Sequence, residues 1–440
     1  MRQHEMNVAT APSPRDFVSL SRRFLDVLGA DGLGDDIDQR RLVVDGIEPA
    51  WVLLPATVTE AAAALRVCAE HDLTVVPAGT GLRLGYGSVP ERVDAVLSTS
   101  RMTAIVEHAA ADLTLTVEAG ATLAAVNEHL APYGQWLPFD PPRAAETTIG
   151  GLVAANAAGP SRLAFGTVRE SLIGIRALLA DGTLVKSGGR VVKNVAGYDV
   201  QKLLVGSLGT LGVIVEATFK LQPRPRTMKI VGWRGAGLVE LVRAGLRLAD
   251  ATNPPRAVEV SFGGGDPILV AELGGEYDEI ADAERKAAEI VASLGYDRRD
   301  DGAAEAALRA IREPADPRGD SVVLRAGTRR DRLDAWLGTA LARAGSVAAS
   351  MRGHAHAGIG VARVELEAAE REPAAMLVAA LRDEARCSGG YLVVERAPAA
   401  WKPALDVWGP PPAGFHLMKG IKAAFDPRRL LAPGRFVGNL

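Results

Sequence analysis

Two glycine-rich stretches in the first half of the chain constrain its fold more than any other feature. Residues 76–87 read VPAGTGLRLGYG, and residues 147–159 read TTIGGLVAANAAG. Glycine reaches positive φ angles and lets the main chain approach a ligand closely, because it has no Cβ. Successive backbone N–H groups in such turns form concave sites for anions. Two of these elements in one domain predict a ligand with a phosphate end and an extended, flat ring system.

The residues around these glycines argue against three common motifs. Gly79 and Gly81 are followed by Leu84, where a G-x-G-x-x-G loop has its third small residue, and the acidic ribose partner is missing at the usual spacing. Neither a G-x-x-x-x-G-K-[ST] loop nor a G-x-S-x-G nucleophile elbow occurs. A nicotinamide-binding unit is therefore disfavoured, whereas a flavin dinucleotide fits both glycine stretches.

Composition excludes several functional classes. The 440 residues are 48% hydrophobic, so a sizeable core is available. The formal net charge is −3 and no region is strongly basic, so binding to nucleic acid is not expected. Cys68 and Cys387 are the only cysteines. An iron–sulfur cluster takes about four cysteine ligands, and no disulfide framework is implied. The N-terminus lacks an apolar signal region, and no apolar run is long enough to span a bilayer. We therefore expect a cytoplasmic protein, with any inner-membrane contact made through partners.

The pattern of elements predicts a chain organised in four parts. A β–α–β start around a helix over 59–71, followed by a hairpin at Asp181-Gly182, is typical of a mixed α and β domain. Thr122 is placed to cap a helix over 123–130. The parts that we expect are an N-terminal helical segment over 1–45, a cofactor-binding domain over 46–225, a cap or substrate domain over 226–388, and a C-terminal segment over 389–440 that completes the cofactor site.

Two further motifs complete the pattern. Residues 204–214 read LVGSLGTLGVI, and residues 421–435 read IKAAFDPRRLLAPGR. With the first two stretches, they resemble the FAD-binding domain of the vanillyl-alcohol-oxidase/PCMH superfamily. The segments KNVAGYD at 193–199 and 408–436 are most similar to the FAD-binding (E) subunits of glycolate oxidases. The resemblance implies an α+β fold: a PCMH-type FAD-binding domain of two α/β subdomains, an α+β cap domain, and a C-terminal segment that returns to the FAD domain.

The resemblance also implies a role for each glycine element. The main chain of 79–83 is expected to hold the FAD pyrophosphate, the second stretch to line the ribityl and isoalloxazine region, and 206–214 to lie near the adenine half. The residues that it assigns to FAD binding are Pro77, Ala78, Gly79, Thr80, Gly81, Leu82, Arg83, Gly87, Pro141, Thr147, Thr148, Gly150, Gly151, Ala155, Asn156, Gly159, Gly166, Gly209, Gly212 and Ile214. Many members attach FAD covalently to a histidine of the first glycine loop. That loop contains neither His nor Cys here, so we expect non-covalent FAD.

His354 and His356, within RGHAHAGIG at 352–360, are the first candidates for catalysis. Side chains at i and i+2 of a strand face the same side, so they ligate a metal, act as a base and its orienting partner, or are partly exposed polar residues. Related D-2-hydroxyacid dehydrogenases have a longer His…Gly-Asp-x-Asn-x-His pattern that holds a metal and positions the substrate. This chain has no acidic residue or Asn there, and we expect no metal. Arg435 is the third candidate, as a cation that stabilises reduced flavin or binds a carboxylate; the alternative is a solvated basic surface.

The resemblance implies an FAD-dependent oxidoreductase. Hydride would pass from a small 2-hydroxy acid, such as glycolate, to flavin N5, giving a 2-oxo acid. Electrons would leave through an iron–sulfur subunit, in a complex with a larger catalytic flavoprotein subunit. Two alternatives stay open: a stand-alone FAD-linked oxidase or dehydrogenase of another hydroxy acid or alcohol, and a non-catalytic subunit that holds flavin for assembly.

Overall fold

The computed structural model describes residues 14–189, 199–235, 237–296, 298–316 and 320–440. Residues 1–13 of the expected N-terminal segment and 193–198 of the KNVAGYD motif lie outside the described residues. The helices are α1 (Pro14–Leu28), α2 (Asp36–Arg41), α3 (Val58–Glu70), α4 (Leu123–Leu130), α5 (Ile149–Ala155), α6 (Arg162–Phe165), α7 (Val168–Ser171), α8 (Gln201–Leu204), α9 (Leu238–Ala249), α10 (Tyr277–Ala292), α11 (Asp301–Arg312), α12 (Leu333–Ser346), α13 (Arg371–Cys387), α14 (Lys402–Leu405) and α15 (Phe415–Phe425). The strands are β1 (Trp51–Leu53), β2 (Val75–Ala78), β3 (Ala95–Ser98), β4 (Ile105–Ala109), β5 (Thr114–Glu118), β6 (Gln135–Trp136), β7 (Leu172–Leu178), β8 (Leu184–Gly188), β9 (Val213–Lys220), β10 (Gln222–Pro223), β11 (Thr227–Arg234), β12 (Ala257–Phe262), β13 (Ile268–Gly275), β14 (Ser321–Gly327), β15 (Ser350–His356), β16 (Val361–Glu367) and β17 (Tyr391–Arg396).

The first subdomain is a small parallel sheet in the order β1-β3-β2. Helix α3 joins β1 to β2, and its N-terminus is capped by Thr57, whose hydroxyl accepts a hydrogen bond from the Glu60 backbone N–H at 3.1 Å. At the open edge of β2, the C-terminal segment pairs with Val75. Leu430 O accepts from Val75 N at 2.8 Å, and Val75 O accepts from Ala432 N at 3.0 Å. The tail of the chain therefore returns to the strand that leads into the first glycine stretch.

The second subdomain is an antiparallel sheet in the order β4-β5-β9-β7-β8. The predicted hairpin is confirmed, because β7 and β8 pair across Asp181-Gly182 and Gly182 has a φ of 79°. The predicted N-cap of helix α4 is also confirmed, since the Thr122 hydroxyl accepts a hydrogen bond from the Ala125 N–H at 3.2 Å. One face of this sheet packs on α4, α5 and α7 in a common apolar core. Helix α5 carries the second glycine stretch, so this packing fixes its position.

The cap is an antiparallel sheet in the order β11-β13-β12-β15-β16-β14-β17. Helices α9, α10, α12 and α13 share one apolar core with the sheet, and α11 packs against a separate cluster on Ile268 and Val270. The sequence places the start of the C-terminal segment at residue 389, whereas the last strand of this sheet is β17. We therefore propose that the cap continues to about residue 396. Among the described residues, no helix is both long enough and apolar enough to cross a membrane.

Arg312 joins the cap to the glycine-rich part of the chain. Arg312, the last residue of α11, donates from Nη1 and Nη2 to the two carboxylate oxygens of Glu272, each at 2.8 Å, and from Nε to Asp140 Oδ2 at 3.0 Å. Asp140 lies between β6 and α5, just before the second glycine stretch, and Glu272 lies in strand β13 of the cap. Paired N–H donors on a carboxylate add geometric specificity to the charge. This ion triad is therefore one of the contacts that join the cap to the glycine-rich domain, beside the ion pair of Arg143 with Asp316 at 3.1 Å.

Candidate active site

The three glycine-rich elements meet at positions where a side chain has no room. A Cβ on Gly79 would lie 2.1 Å from Thr148 Oγ1, so the first stretch touches the second. Gly209 of the third element has a φ of 77°, and a Cβ there would lie 3.0 Å from the ring of Pro77. Thr80 further joins the first two elements by donating its hydroxyl to Glu146 O at 2.9 Å. The elements form one groove whose walls are largely main chain.

Most of the residues expected to bind FAD line this groove. They are Pro77, Ala78, Gly79, Thr80, Gly81, Leu82, Arg83, Thr148, Gly150, Gly151, Ala155, Gly209, Gly212 and Ile214. The groove also contains residues that the sequence analysis missed, namely Leu84, Thr99, Ala154, Leu208 and Val213. Four of them lie within the glycine motifs, whereas Thr99 follows strand β3 and comes from outside those motifs.

Arg435 lies on the groove and not on the surface. Only 2% of it is exposed, so the alternative of a solvated basic surface is wrong. Its Nη2 donates to the carbonyls of Arg83, at 3.3 Å, and Leu84. Burial lowers the pKa of Arg435 to about 10, which leaves the guanidinium charged at neutral pH. Within the described part of the chain, its buried Nη1 has no hydrogen-bond partner. Buried donors are nearly always satisfied, so this one points to a ligand in the groove.

A second cavity, of about 270 Å³, lies between the groove and the cap. It shares Arg83, Ala155 and Leu208 with the groove, so the two are continuous. Three residues assigned to FAD binding line this cavity rather than the groove: Gly87, Asn156 and Gly159. Asn156 Oδ1 is buried, and no described residue donates to it. The unpaired donor of Arg435 and the unpaired acceptor of Asn156 both fit a polar dinucleotide with a heteroaromatic ring.

Three residues assigned to FAD binding line neither space: Pro141, Thr147 and Gly166. Thr147 acts through Arg83, because its hydroxyl accepts from Nη1 and Nη2 of that guanidinium at 3.1 Å each. Gly166 ends α6 with a φ of 73° and packs near Glu170. Of the three, Thr147 therefore supports a wall of the site from behind, through Arg83.

The cap side of the cavity carries a charge cluster that the sequence analysis missed. Arg325 of β14, Arg363 of β16 and Glu395 of β17 lie on neighbouring strands and line the cavity with Arg83. Arg363 Nε donates to Glu395 Oε2 at 2.8 Å. Arg325 Nε lies 3.3 Å from Glu395 Oε1, yet it is not aligned for a hydrogen bond with any described group. Burial raises the pKa of Glu395, but Arg363 and Arg325 outweigh it and the pKa falls. Three guanidinium groups thus face one carboxylate.

The two candidate histidines lie together, with ring centroids 4.9 Å apart; His354 is buried and His356 is partly exposed. The alternative of partly exposed strand residues is therefore wrong for His354 and stays open for His356. His356 lines the cavity, and its Nδ1 lies 2.5 Å from Oε1 of Glu259, the residue opposite it on β12. His354 lines neither space, and burial lowers its pKa well below the ordinary value. Ligand atoms of all three side chains lie within 4.8 Å of one another.

Burial of Glu259 completes the electrostatics of this group. Burial raises the pKa of its carboxyl, and the neighbouring His356 opposes that shift. Glu259 Oε2 is buried and unpaired among the described residues. Arg435 does not belong to this group: it lies on the groove, and His356 lies on the cavity. The three residues expected to be catalytic therefore divide between a cofactor side and a cap side.

Taken together, the groove and the cavity define a flavoprotein site. Residues 49–188 match the family model described as "FAD binding domain". This segment carries the first two glycine stretches, which form most of the groove. The segment is therefore an FAD-binding domain of that family.

Curated relatives share parts of this sequence. The chain is 37% identical over 181 residues to glycolate oxidase subunit GlcD of Bacillus subtilis, covering 41% of this chain and 38% of that one. It is 43% identical over 123 residues to glycolate oxidase subunit GlcE of Escherichia coli, covering 28% and 35%. It is 35% identical over 256 residues to D-lactate dehydrogenase of Archaeoglobus fulgidus, covering 56% and 57%. The matched part thus spans from about a third to just over half of these relatives.

Solved structures show the same fold over the whole chain. p-Cresol methylhydroxylase aligns with a TM-score of 0.77 at 18% identity, covering 96% of this chain and 97% of that one. Alkyldihydroxyacetonephosphate synthase aligns with a TM-score of 0.74 at 14% identity, covering 97% and 87%. The expected α+β, PCMH-type fold is confirmed, and FAD is the cofactor that its groove accommodates.

Proposed function

We propose that this protein is an FAD-dependent oxidoreductase that oxidises a small 2-hydroxy acid, such as glycolate, to the 2-oxo acid. We propose further that it works as the FAD-binding subunit of a glycolate oxidase-type complex. The similarity to glycolate oxidase subunits and to D-lactate dehydrogenase supports the reaction class. The observation that carries the proposal is the arginine-lined cavity that opens onto the FAD groove.

The arginine cluster suits the carboxylate of such an acid. Arg325 has an unpaired Nε, and Arg363 shares Glu395 with it, so the pair is not neutralised. Guanidinium groups bind carboxylates through charge-assisted, often paired hydrogen bonds. A carboxylate held at Arg325 and Arg363 places C2 and its hydroxyl in the space shared by the cap and the FAD groove. The cluster acts as an anchor that orients the substrate.

His356 is suited to accept the hydroxyl proton. Its Nδ1 is engaged by Glu259 at 2.5 Å, which orients the ring and leaves Nε2 as the other nitrogen of a residue that lines the cavity. Bound FAD supplies the acceptor for the hydride that leaves C2. The substrate thus loses a hydride and a proton, and the chain's own part is to hold the carboxylate and take up the proton.

We propose that the Glu259–His354–His356 group takes up the hydroxyl proton without a metal ion. The Glu259 hydrogen bond already occupies one nitrogen of His356, and it provides the orienting contact that a general base needs. Elemental analysis of protein purified without chelators tests this point. A stoichiometric transition metal, lost together with activity in H354A or H356A, would favour a metal centre instead.

Anaerobic mixing of the FAD-loaded protein with glycolate or D-lactate tests the reaction. We expect the absorbance of the flavin bound to this chain to bleach when the partner subunits are present, and H356Q to abolish the bleaching of that flavin while leaving bound FAD unchanged. The matched control is H108Q. His108 lines neither the groove nor the cavity, and its Nε2 lies 2.9 Å from Gln135 Oε1. Bleaching that persists in H356Q contradicts the role of this histidine.

The same experiment separates the alternatives. Rapid bleaching of the isolated chain favours a stand-alone oxidase or dehydrogenase. Normal activity of a complex that contains H356A favours a subunit that holds flavin for assembly only. Co-purification from the native source identifies the partners, for which we propose a larger catalytic flavoprotein and an iron–sulfur subunit, with any contact to the inner membrane made through them.

A further inference from the structure

Lys402 is a buried lysine beneath the first glycine loop, at the start of α14. Its Nζ donates to Gly85 O at 2.7 Å and to Gly87 O at 2.9 Å, and it forms an ion pair of 2.5 Å with Asp45 Oδ1. The lysine and aspartate side chains are 2% and 4% exposed. A charged lysine is almost never buried unless it is paired. Besides its pairing with Asp45, Lys402 donates both of its other hydrogen bonds to main-chain carbonyls of one loop.

Arg435 holds the neighbouring carbonyls of the same loop, those of Arg83 and Leu84. The main chain of Gly87 also packs against that of Arg435, since a Cβ on Gly87 would lie 2.6 Å from Arg435 O. Two cations from the C-terminal part of the chain therefore bind four carbonyls of residues 83–87. Besides these carbonyls, Lys402 and Arg435 both face the carboxylate of Asp45.

The charge beneath the loop is not balanced by the residues around it. Two buried cations face one buried carboxylate, and Arg435 keeps an unpaired donor, Nη1, on the FAD groove. Buried charge is weakly screened, so its field extends into the adjoining groove. An anion in the groove supplies both the missing charge and the missing hydrogen-bond acceptor.

We propose that Lys402 and Arg435 form a cationic support that retains the diphosphate of FAD. Arg435 contacts the diphosphate through Nη1. Lys402 is a positioning residue that acts through the carbonyls of Gly85 and Gly87 and through its charge. The inference needs only FAD binding and does not depend on the proposed substrate.

The test compares Lys402→Met with Lys422→Met. Lys422 is an equally buried lysine that also contacts one carboxylate, Asp426 at 2.7 Å, and two carbonyls, Thr210 O at 2.7 Å and Leu431 O at 2.9 Å. Neither of these carbonyl residues lines the groove. Both variants lose a buried cation, so both are expected to lose similar stability in the apo form.

The readout is affinity for FAD by fluorescence quenching, with ADP and riboflavin as competitors in the absence of substrate. We expect K402M to weaken FAD and ADP at least tenfold, because the loop loses both the charge beneath it and the hydrogen bonds that hold its carbonyls, and to leave riboflavin within twofold. K422M is expected to leave all three within twofold. Arg435→Lys keeps a charge but has a single donor nitrogen, which cannot hold the loop carbonyls and the diphosphate as the guanidinium fork does, so it is expected to weaken FAD and ADP while sparing riboflavin.

Wild-type affinity of K402M for FAD and ADP would overturn the proposal. So would an equal loss in K422M, or a parallel loss of riboflavin binding, since both mark a general structural defect. If K402M does not fold, R435K decides by the same criteria. Normal FAD binding without oxidation of any 2-hydroxy acid would refute the proposed function and leave this inference standing.

Discussion

Glu395→Gln isolates the role of the arginine cluster, because it removes the charge that Arg325 and Arg363 share and keeps the side chain's size. Glu395 is 11% exposed at its side chain and accepts from Arg363 Nε at 2.8 Å. Removing one member of a buried ion pair costs about 3–5 kcal/mol, since the remaining charge is left uncompensated. For a domain the size of the cap, that loss lowers the melting temperature by roughly 6–20 °C.

The same substitution should strengthen binding of small carboxylates. In E395Q, a bound carboxylate takes the place of the missing anion and gains hydrogen bonds that Glu395 occupies in the wild type. Charge-assisted hydrogen bonds contribute about 1.5–3 kcal/mol each. The expected decrease in Kd for oxalate or glycolate is therefore about 10-fold to 150-fold.

Thermal unfolding in chloride and in oxalate measures both effects. E395Q is expected to melt well below the wild type in chloride and to regain much of the difference in oxalate. Glu365→Gln is the matched control. Glu365 lies in the same sheet and accepts from Arg352 at 2.9 Å, but Arg352 is 40% exposed, so a loss below about 1 kcal/mol is expected. If E395Q is as stable as the wild type and binds oxalate no better, the cluster does not recognise carboxylates.

Three other predictions follow from the fold and the site. Arg312→Met removes the cation that is paired with the carboxylates of Asp140 and Glu272, so we expect a loss of about 3–5 kcal/mol and faster protease cleavage between cap and FAD domain. Because the pKa of His354 is depressed in the folded protein, the unfolded chain binds a proton that the folded chain does not. Stability therefore falls as pH drops below about 6.5. In urea unfolding between pH 5 and 7.5, H354Q should reduce this slope by up to about 1.4 kcal/mol per pH unit. Because residues 78–87 contain no His or Cys, acid precipitation should leave a colourless pellet and yellow supernatant, and a yellow pellet would contradict non-covalent binding.

The parts of the site that were predictable from sequence depend on local geometry. Glycine runs mark places where backbone must approach backbone, and Gly79 against Thr148 shows why no larger residue fits there. The cap of α4 at Thr122 was predictable for the same reason, because its hydrogen bond spans three residues. The histidine pair followed from strand alternation.

The parts that were not predictable depend on which distant strands become neighbours. Arg325, Arg363 and Glu395 converge only because β14 lies between β16 and β17, an order that no short-range pattern specifies. The available signal was a charge inside otherwise apolar strands, which also occurs at solvated edges. Lys402 and Asp45 are 357 residues apart, and each resembles an ordinary surface charge until the fold buries both.

The return of the tail to β2 has a consequence for how the protein is made. Arg435 meets the carbonyl of Arg83 across 352 residues. At about 5–20 residues per second, a ribosome needs roughly 20–70 s to cover that distance. Throughout this interval the nascent chain exposes a glycine loop whose supporting partners have not yet been translated. Loading with the yellow coenzyme is therefore expected only after Arg435 has been translated and has folded back onto the loop.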